Sequence, residues 1–388
     1  MDVSDGGGVP RARIGGEQRV TPLELFFDLV FVFALTQVTG FLSTHLTWVG
    51  MLQAAALLTV LWSSWASYSW LTNSVPAEEA IPARLVIFCA MAAMFVASLA
   101  VPSAFDHYGV LFGSAYFVVQ LLHLLLYSLA TGRDPELHRA VLRLAPAQVV
   151  GPALLVVAGF LDGFAQGALW VVALAVSYSV AFVRSLSGFR VHPGHFAERH
   201  GLVVIIALGE SIVAVGVGAT GVGLGTSVLV AAVLGIALAA ALWWVYFDLV
   251  MLTAERRLFA ARGEERVRLA RDSYSYLHLP MVASIIFAAL GVKQTLAHVG
   301  DPLGTIPAVA LCGGVALYLL GHNAFRLREE GSVSVPRLVV ALACLALIPV
   351  AVSVPSIVTL AFLTALLCGL AALETATSRE FRRELRAR

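Results

Sequence analysis

The sequence has 388 residues, of which 59% are hydrophobic and 13% charged, and its mean hydropathy is +0.88. In an ordinary soluble domain roughly a quarter of the residues are charged, so this composition excludes a soluble globular protein. The formal net charge of +1 excludes the extended basic surface that nucleic-acid binding requires. The four cysteines all lie in apolar runs without a CxxC pair and are interpreted as small core residues.

Apolar runs long enough to cross a bilayer recur along the whole chain. A helix needs about 20 residues to span a hydrocarbon core of roughly 30 Å. The runs predict an all-α polytopic transmembrane bundle of about 12 spans, at 22–43, 48–71, 82–101, 109–130, 141–160, 167–187, 199–218, 226–252, 274–297, 305–325, 337–353 and 356–374. The last two contain or adjoin Pro349 and Pro355, so a re-entrant hairpin is the alternative there.

The placement of basic residues sets the predicted topology, because Lys and Arg collect in cytoplasmic loops. With 12 spans and a cytoplasmic N-terminus, every basic residue except Lys293 lies in a cytoplasmic segment or at the adjoining helix end. Both termini are therefore expected in the cytoplasm. The chain then divides into an N-terminal arm (1–21), a first six-helix half (22–187), a cytoplasmic connector (188–198), a second six-helix half (199–374) and a basic cytoplasmic tail (375–388).

The two predicted halves share polar and aromatic positions in the same order. Glu24 recurs as Glu198 at an offset of 174 residues, and His123 recurs as His322 at an offset of 199. Offsets that grow along the chain are expected if loops gain residues. The pattern predicts a 6+6 tandem repeat whose halves have the same orientation, as in some transporters. Chance similarity between apolar helices is the alternative.

Several motifs resemble a known family. The segment EQRVTPLELFFDLVFVF (17–33) is similar to the opening of the bacterial low temperature requirement A (LtrA) proteins. FAERHG (196–201), ALGES (207–211), HLP (278–280) and GVK (291–293) follow in the family's order. The resemblance covers nearly the whole chain. It implies a multi-pass membrane protein linked to growth in the cold, and it supplies no activity, cofactor or site residue.

Charged residues inside predicted spans are candidates for function, because a charge at the bilayer centre costs at least about 2.5 kcal/mol. Glu24 and Asp28 lie four residues apart on one face of the first helix, and Gln37 lies on the opposite face. This helix is therefore expected to be enclosed by others, with Arg84 or Arg199 as the charge partner. Alternatively, the two acids serve only the positive end of the helix dipole.

The deepest acid is Glu210, which small neighbours surround and which is the first candidate for a proton or cation site. A buried glutamate that only joins two helices is the alternative. Lys293, the only lysine, either extends toward the membrane surface or pairs with Glu210. The full set of candidates for an ion, proton or substrate site is Glu24, Asp28, Gln37, Arg84, His123, Glu198, Arg199, His200, Glu210, Ser211, Asp248, His278, Lys293 and His322.

Other patterns give weaker indications. The stretch from Gly216 to Gly221 fits GxGxxG but lacks the strand–turn–helix context of a nucleotide loop, so it predicts a helix end. His192 and His195 are placed in a turn, and the spacing of the histidines favours no metal site. The arginine-rich segment 255–271 indicates either an amphipathic helix on anionic lipid or a solvated connector. No cofactor is expected.

The sequence favours a proton- or cation-coupled secondary transporter in the bacterial inner membrane, moving a small solute and surrounded by lipid. A membrane enzyme or lipid-modifying protein at the cytoplasmic face is the first alternative, because most candidate residues fall on that side. An ion channel and a membrane sensor that transports nothing are further alternatives. Neither a substrate nor an oligomeric state follows from the sequence.

Overall fold

The computed structural model describes residues 19–75, 80–131, 134–183 and 188–377, and within these ranges it is 87% helical with no β-strand. Most of the predicted N-terminal arm and of the basic tail lies outside the described residues. The helices are α1 (Pro22–Thr44), α2 (Trp48–Ser74), α3 (Ile81–Ala100), α4 (Gly109–Ala130), α5 (Pro135–Ala158), α6 (Gly163–Val183), α7 (Pro193–Val222), α8 (Thr226–Val245), α9 (Met251–Ala260), α10 (Gly263–Leu269), α11 (His278–Ala297), α12 (Thr305–Ala308), α13 (Gly314–Glu330), α14 (Val335–Ala346), α15 (Ile348–Ala351) and α16 (Ser356–Thr377).

Within the described residues, 10 helices are long and apolar enough to cross a membrane. They coincide with ten of the predicted spans, so the prediction of a polytopic helical membrane protein is confirmed. The sixth and eleventh predicted spans coincide with shorter apolar helices, Gly163–Ser179 and Val335–Ala351, and stay predictions. The eleventh is interrupted after Ala346, where Pro349 lies in the first turn of α15.

Helix α7 begins at Pro193, six residues before the predicted span. A proline is well suited to the first turn of a helix, because its missing N–H would have no partner there. His195, which the sequence places in a turn, therefore lies in the first turn of α7. The prediction of a turn at His195 is wrong for this reason.

The described chain divides into two compact units. The first unit holds the described residues up to Phe41, together with Leu52–Arg199 and Arg262–Arg268. The second unit holds Leu42–Met51, His200–Ala261 and the described residues from Leu269 onward. Helix α7 contributes its first residues to the first unit and the remainder to the second.

Small residues allow helices to pack closely in the first unit. A Cβ atom on Gly113 in α4 would lie 2.7 Å from the backbone nitrogen of Val156 in α5. Gly109 is similarly close to Gly159, because a Cβ atom on Gly109 would lie 2.9 Å from the Gly159 Cα. Lipid supplies little hydrophobic drive between helices, so such close backbone contact is what holds them together.

In the described part of the second unit, three π-helical segments interrupt the helices, at Tyr246–Val250, Ala270–Tyr276 and Val309–Gly313. A π-helical turn leaves backbone carbonyls without their usual partners. Side chains bond to carbonyls at two of these segments: Arg337 Nη2 donates to the Val245 carbonyl over 3.1 Å, and His278 Nδ1 donates to the Ser273 carbonyl over 3.0 Å. These segments are therefore built into the packing of the second unit.

Candidate functional site

Glu24 closes the first turn of α1 with its side chain. The Thr21 N–H and Thr21 hydroxyl donate to Glu24 Oε2 over 2.9 and 3.1 Å, and the Glu24 N–H donates to Thr21 Oγ1 over 3.4 Å. This reciprocal pair is a capping box, with Pro22 at the first helical position. The Thr-Pro-Leu-Glu sequence thus fixes where α1 begins and holds the Glu24 carboxylate at its base.

Asp28 lies one turn further along the same face. Both carboxylates are buried, with Glu24 4% and Asp28 1% exposed. Burying two acids side by side is unfavourable unless donors surround them. Those donors come from Thr21, from α2 and from the first two turns of α7.

Arg199 bridges the two acids. Its Nη1 lies 2.9 Å from Glu24 Oε1, and its Nη2 donates to Asp28 Oδ1 over 2.7 Å. Nη1 also donates to Thr72 Oγ1 over 3.2 Å, and the guanidinium carbon lies 5.7 Å from the centre of the Trp65 ring. A planar guanidinium with several donors suits this shared contact better than a lysine would.

Trp65 supplies a second donor to Asp28. Its indole Nε1–H donates to Asp28 Oδ1 over 2.9 Å. The other carboxylate oxygen, Oδ2, is buried and has no hydrogen-bond partner among the described residues, and the same holds for Arg199 Nε. Asp28 therefore accepts hydrogen bonds at Oδ1, and none of the described residues donates to its Oδ2.

His195 also contacts Glu24. Its Nε2 lies 2.9 and 3.0 Å from the two Glu24 oxygens, and its Nδ1 lies 3.0 Å from Asn73 Nδ2. Asn73 is itself oriented by the backbone of His192, whose N–H donates to Asn73 Oδ1 over 2.9 Å and whose carbonyl accepts from Nδ2 over 3.0 Å. Since Asn73 Nδ2 is a donor, His195 Nδ1 accepts, and Nε2 carries the hydrogen that is donated to Glu24.

We call this group the acid–arginine cluster: Glu24, Asp28, Trp65, Thr72, Asn73, His195 and Arg199, all in the first unit. When His195 is neutral, the cluster contains two carboxylates and one guanidinium, and its formal charge is −1. A net charge is costly in a buried site inside a membrane. The cluster is therefore suited to bind one proton or one monovalent cation.

Four predicted candidates of the first unit lie outside the cluster. Gln37 is half-buried, nine residues beyond Asp28 and so roughly 13 Å along α1. Arg84 is exposed, and His123 Nε2 donates to the Ser67 carbonyl over 3.1 Å. Glu198 Oε2 accepts from the Val20 N–H over 3.2 Å, which ties the chain before α1 to α7.

The predicted histidines of the second unit lie in an aromatic group. His200 and His278 have ring centres 5.2 Å apart, and the Tyr246 hydroxyl lies 2.8 Å from His278 Nε2. His322 packs on Tyr318 and near Tyr246, with ring centres 4.4 and 5.8 Å away. Neither ring nitrogen of His322 has a hydrogen-bond partner among the described residues.

The remaining candidates are spread over the second unit. Glu210 is buried in α7, and the Ser211 hydroxyl donates to the Ala207 carbonyl one turn earlier over 3.3 Å. Asp248 is half-buried in a π-helical segment. Lys293 is half-buried in α11, and both of its predicted alternatives, extension toward the membrane surface and a pair with Glu210, stay predictions.

Four cluster residues are not among the sequence candidates: Trp65, Thr72, Asn73 and His195. The sequence could have indicated two of them, because Trp65 and Thr72 lie seven residues apart and so on one face of α2. His195 lies four residues before Arg199, matching the spacing of Glu24 and Asp28. This match is visible only once α7 is extended back to Pro193.

Comparison with known proteins gives a family and one relative. A family model described as bacterial low temperature requirement A protein matches residues 19–372. An uncharacterized protein of Rhizobium meliloti (strain 1021) is 34% identical over 315 residues, which cover 77% of this chain and 75% of that protein. No solved structure matches the chain. The matched range includes every residue of the acid–arginine cluster.

Proposed function

This chain belongs to the bacterial low temperature requirement A family, and we propose that it is an ion-coupled secondary transporter whose acid–arginine cluster binds the coupling ion. The observation that carries the proposal is Arg199, buried between Glu24 and Asp28 at 2.9 and 2.7 Å. One guanidinium balances only one of the two acids. A proton or cation must enter for the charge to be neutral.

The energetic cost of such a cluster favours a functional role. An ion pair buried in protein is at best weakly stabilising compared with well-packed apolar residues, and an unbalanced charge is destabilising. Ionisable residues in membrane helices are accordingly rare and mark ion and substrate paths. In a transporter, an ion that binds and neutralises such a cluster stabilises one conformation relative to another, so ion binding can drive the conformational change.

The finer architecture belongs to the same proposal. We propose 12 spans in the bacterial inner membrane, both termini in the cytoplasm, and two related six-helix halves, 22–187 and 199–374. The recurrence of Glu24 as Glu198 and of His123 as His322, in the same order along the chain, supports the repeat.

The test is solute-driven current in proteoliposomes adsorbed on a solid-supported membrane. The probes are four solute classes added one at a time: amino acids, organic acids, sugars and amines. We expect at least one class to give a current in the wild-type chain that Asp28→Asn removes. Asp301→Asn is the matched control, because Asp301 is exposed and lies outside the cluster.

The Asp301→Asn variant should retain the wild-type current. If the folded wild-type chain gives no current with any of the four classes, the transporter proposal is contradicted. A current that Asp28→Asn leaves unchanged would separate transport from the acid–arginine cluster and would remove the cluster from the proposal.

A further inference from the structure

We infer that the ion bound by the acid–arginine cluster is a proton, and that it resides on Oδ2 of Asp28. The inference rests on the proposed function for the role of this proton in coupling. Its structural part stands on the hydrogen bonds of the cluster alone. It assigns an ionisation state to each of four side chains.

Glu24 is the ionised acid. Its two oxygens accept from four donors: the N–H and hydroxyl of Thr21, His195 Nε2 and Arg199 Nη1. A carboxylate accepts at both oxygens, whereas a protonated carboxyl group would direct its own O–H at one of these donors. Arg199 is always protonated in proteins. Glu24 and Arg199 therefore form one balanced pair.

His195 cannot supply a second positive charge. Asn73 makes three directional contacts: Oδ1 accepts from the His192 N–H, while Nδ2 donates to the His192 carbonyl and to His195 Nδ1. If the Asn73 amide were rotated by 180°, its Oδ1 would face the His192 carbonyl and its Nδ2 would face the His192 N–H, so both hydrogen bonds would be lost. Protonating His195 Nδ1 would set two N–H groups against each other. Asn73 thus keeps His195 in its neutral form.

Asp28 is left as the acid without a counter-charge. Its Oδ1 accepts from Trp65 and Arg199, while Oδ2 is buried with no partner among the described residues. A proton on Oδ2 neutralises the cluster without displacing any donor. In the opposite step, loss of this proton leaves a carboxylate that competes with Glu24 for Arg199.

A metal cation fits this site poorly. Hard cations such as Ca²⁺ and Mg²⁺ take about six or more oxygen ligands. The oxygens of Glu24, Asp28 Oδ1 and Thr72 Oγ1 already accept hydrogen bonds, which leaves Asp28 Oδ2 alone among the described cluster oxygens. One oxygen suffices for a proton and is too few for Ca²⁺ or Mg²⁺, and added Na⁺ or K⁺ tests the monovalent cations directly.

The charged and titratable groups that the described contacts place in the cluster with Asp28 come from α1 and α7. Helix α1 contributes Glu24, and α7 contributes His195 and Arg199. Helix α2 contributes Trp65 and Thr72, neither of which titrates near neutral pH. Arg84 of α3 is exposed, and His123 of α4 is turned to the Ser67 carbonyl.

Infrared spectroscopy tests the assignment, because a protonated carboxyl group has a carbonyl stretch that a carboxylate lacks. The full chain is reconstituted in liposomes and labelled with ¹³C at the carboxyl groups of either aspartate or glutamate. We expect a buried carboxyl band near neutral pH that shifts with the aspartate label, disappears in Asp28→Asn and persists in Asp301→Asn, whereas a band from a buried glutamate such as Glu210 would shift only with the glutamate label. Adding Na⁺ or K⁺ should leave the band in place.

Glu24→Gln gives a second, independent readout. It removes one negative charge, so Asp28 alone then balances Arg199, and the aspartate band should vanish at neutral pH and return only in more acidic buffer. If Asp28→Asn does not fold, Trp65→Phe should shift the frequency of the band, because it removes one of the two donors to Asp28 Oδ1.

Two results would overturn the inference: no band that shifts with the aspartate label in the folded wild-type chain, or an aspartate band that Na⁺ or K⁺ abolishes. The outcome is distinguishable from failure of the proposed function. An aspartate band without any solute-driven current keeps the proton on Asp28 and contradicts transport. A current without the band keeps transport and contradicts the proton assignment.

Discussion

Arg199 Nη2 and Asp28 Oδ1 lie 2.7 Å apart, and the two side chains are only 1% and 2% exposed. The same guanidinium reaches Glu24, so one cation serves two acids from its position on α7. The proposed ion site follows from this excess of acids over cations in a buried cluster.

Removing Arg199 should destabilise the chain strongly. Breaking a buried ion pair by removing one partner costs about 3–5 kcal/mol, because it leaves an uncompensated charge. We expect Arg199→Gln to lower the free energy of unfolding by about this amount, measured by denaturant titration in detergent micelles. The double variant with Glu24→Gln should recover part of the loss, and the double variant with Asp28→Asn should recover less. Equal recovery by the two would contradict Glu24 as the ionised acid.

The two acids should respond differently to neutral substitution. Asp28→Asn keeps an oxygen for Trp65 and Arg199, so its cost is expected to be about 1 kcal/mol or less. Glu24→Gln sets an amide group against donors that include Arg199 and His195, and should cost about 1.5–3 kcal/mol. The measurement is again the free energy of unfolding of both variants under one set of conditions. A larger loss for Asp28→Asn than for Glu24→Gln would be inconsistent with a protonated Asp28.

The sequence predicts the two acids of the cluster but not the residues that surround them. Glu24 and Asp28 fall on one face of α1 by helical spacing alone, and Arg199 is one of two basic residues expected as their partner. The choice between Arg84 and Arg199 requires the packing of α1 against α7, which no local pattern contains. His195 escapes sequence reasoning because the Pro193-Gly194 pair is typical of a turn, whereas it is the start of α7. Asn73 bonds to backbone atoms of His192, and a sequence pattern does not indicate which side chain bonds to a backbone group.

The fold is predictable to a similar extent. The number and order of apolar runs place most helices within a few residues. The π-helical segments around Tyr246 and Ser273 are not predictable, because no residue pattern distinguishes them from an α-helix; in the structure Arg337 bonds to the carbonyl before the first and His278 to a carbonyl within the second.

The two histidines of α11 and α13 offer a matched pair. His278 is bonded at both ring nitrogens, to the Tyr246 hydroxyl and the Ser273 carbonyl. His278→Phe leaves both of these groups buried without a partner and should cost about 1–3 kcal/mol in unfolding free energy. His322 has no bonded ring nitrogen among the described residues, so His322→Phe should be neutral or stabilising. Thermal unfolding of both variants compares them directly, and a greater loss for His322→Phe would show that its ring does have a polar partner.

Close packing of α4 on α5 should depend on Gly113. A methyl group there would lie 2.7 Å from the Val156 nitrogen, a backbone atom that cannot move aside cheaply. We expect Gly113→Ala to lower the free energy of unfolding by about 1–3 kcal/mol, as overpacked sites do. Gly167→Ala in α6 is the control, since a methyl group there meets nothing within 4 Å. If both substitutions have the same effect, the helix contact at Gly113 is not tight.

The most direct test of an ion-coupled role for the acid–arginine cluster compares two measurements on Asp28→Asn proteoliposomes: solute accumulation and solute exchange. The solute is the class that gives a current in the wild-type chain. A carrier whose proton site has been neutralised should still exchange labelled solute across the membrane at equal concentrations. We predict that Asp28→Asn exchanges solute but no longer accumulates it when a pH gradient is imposed, while Asp301→Asn does both. Accumulation by Asp28→Asn at the wild-type level would contradict the account.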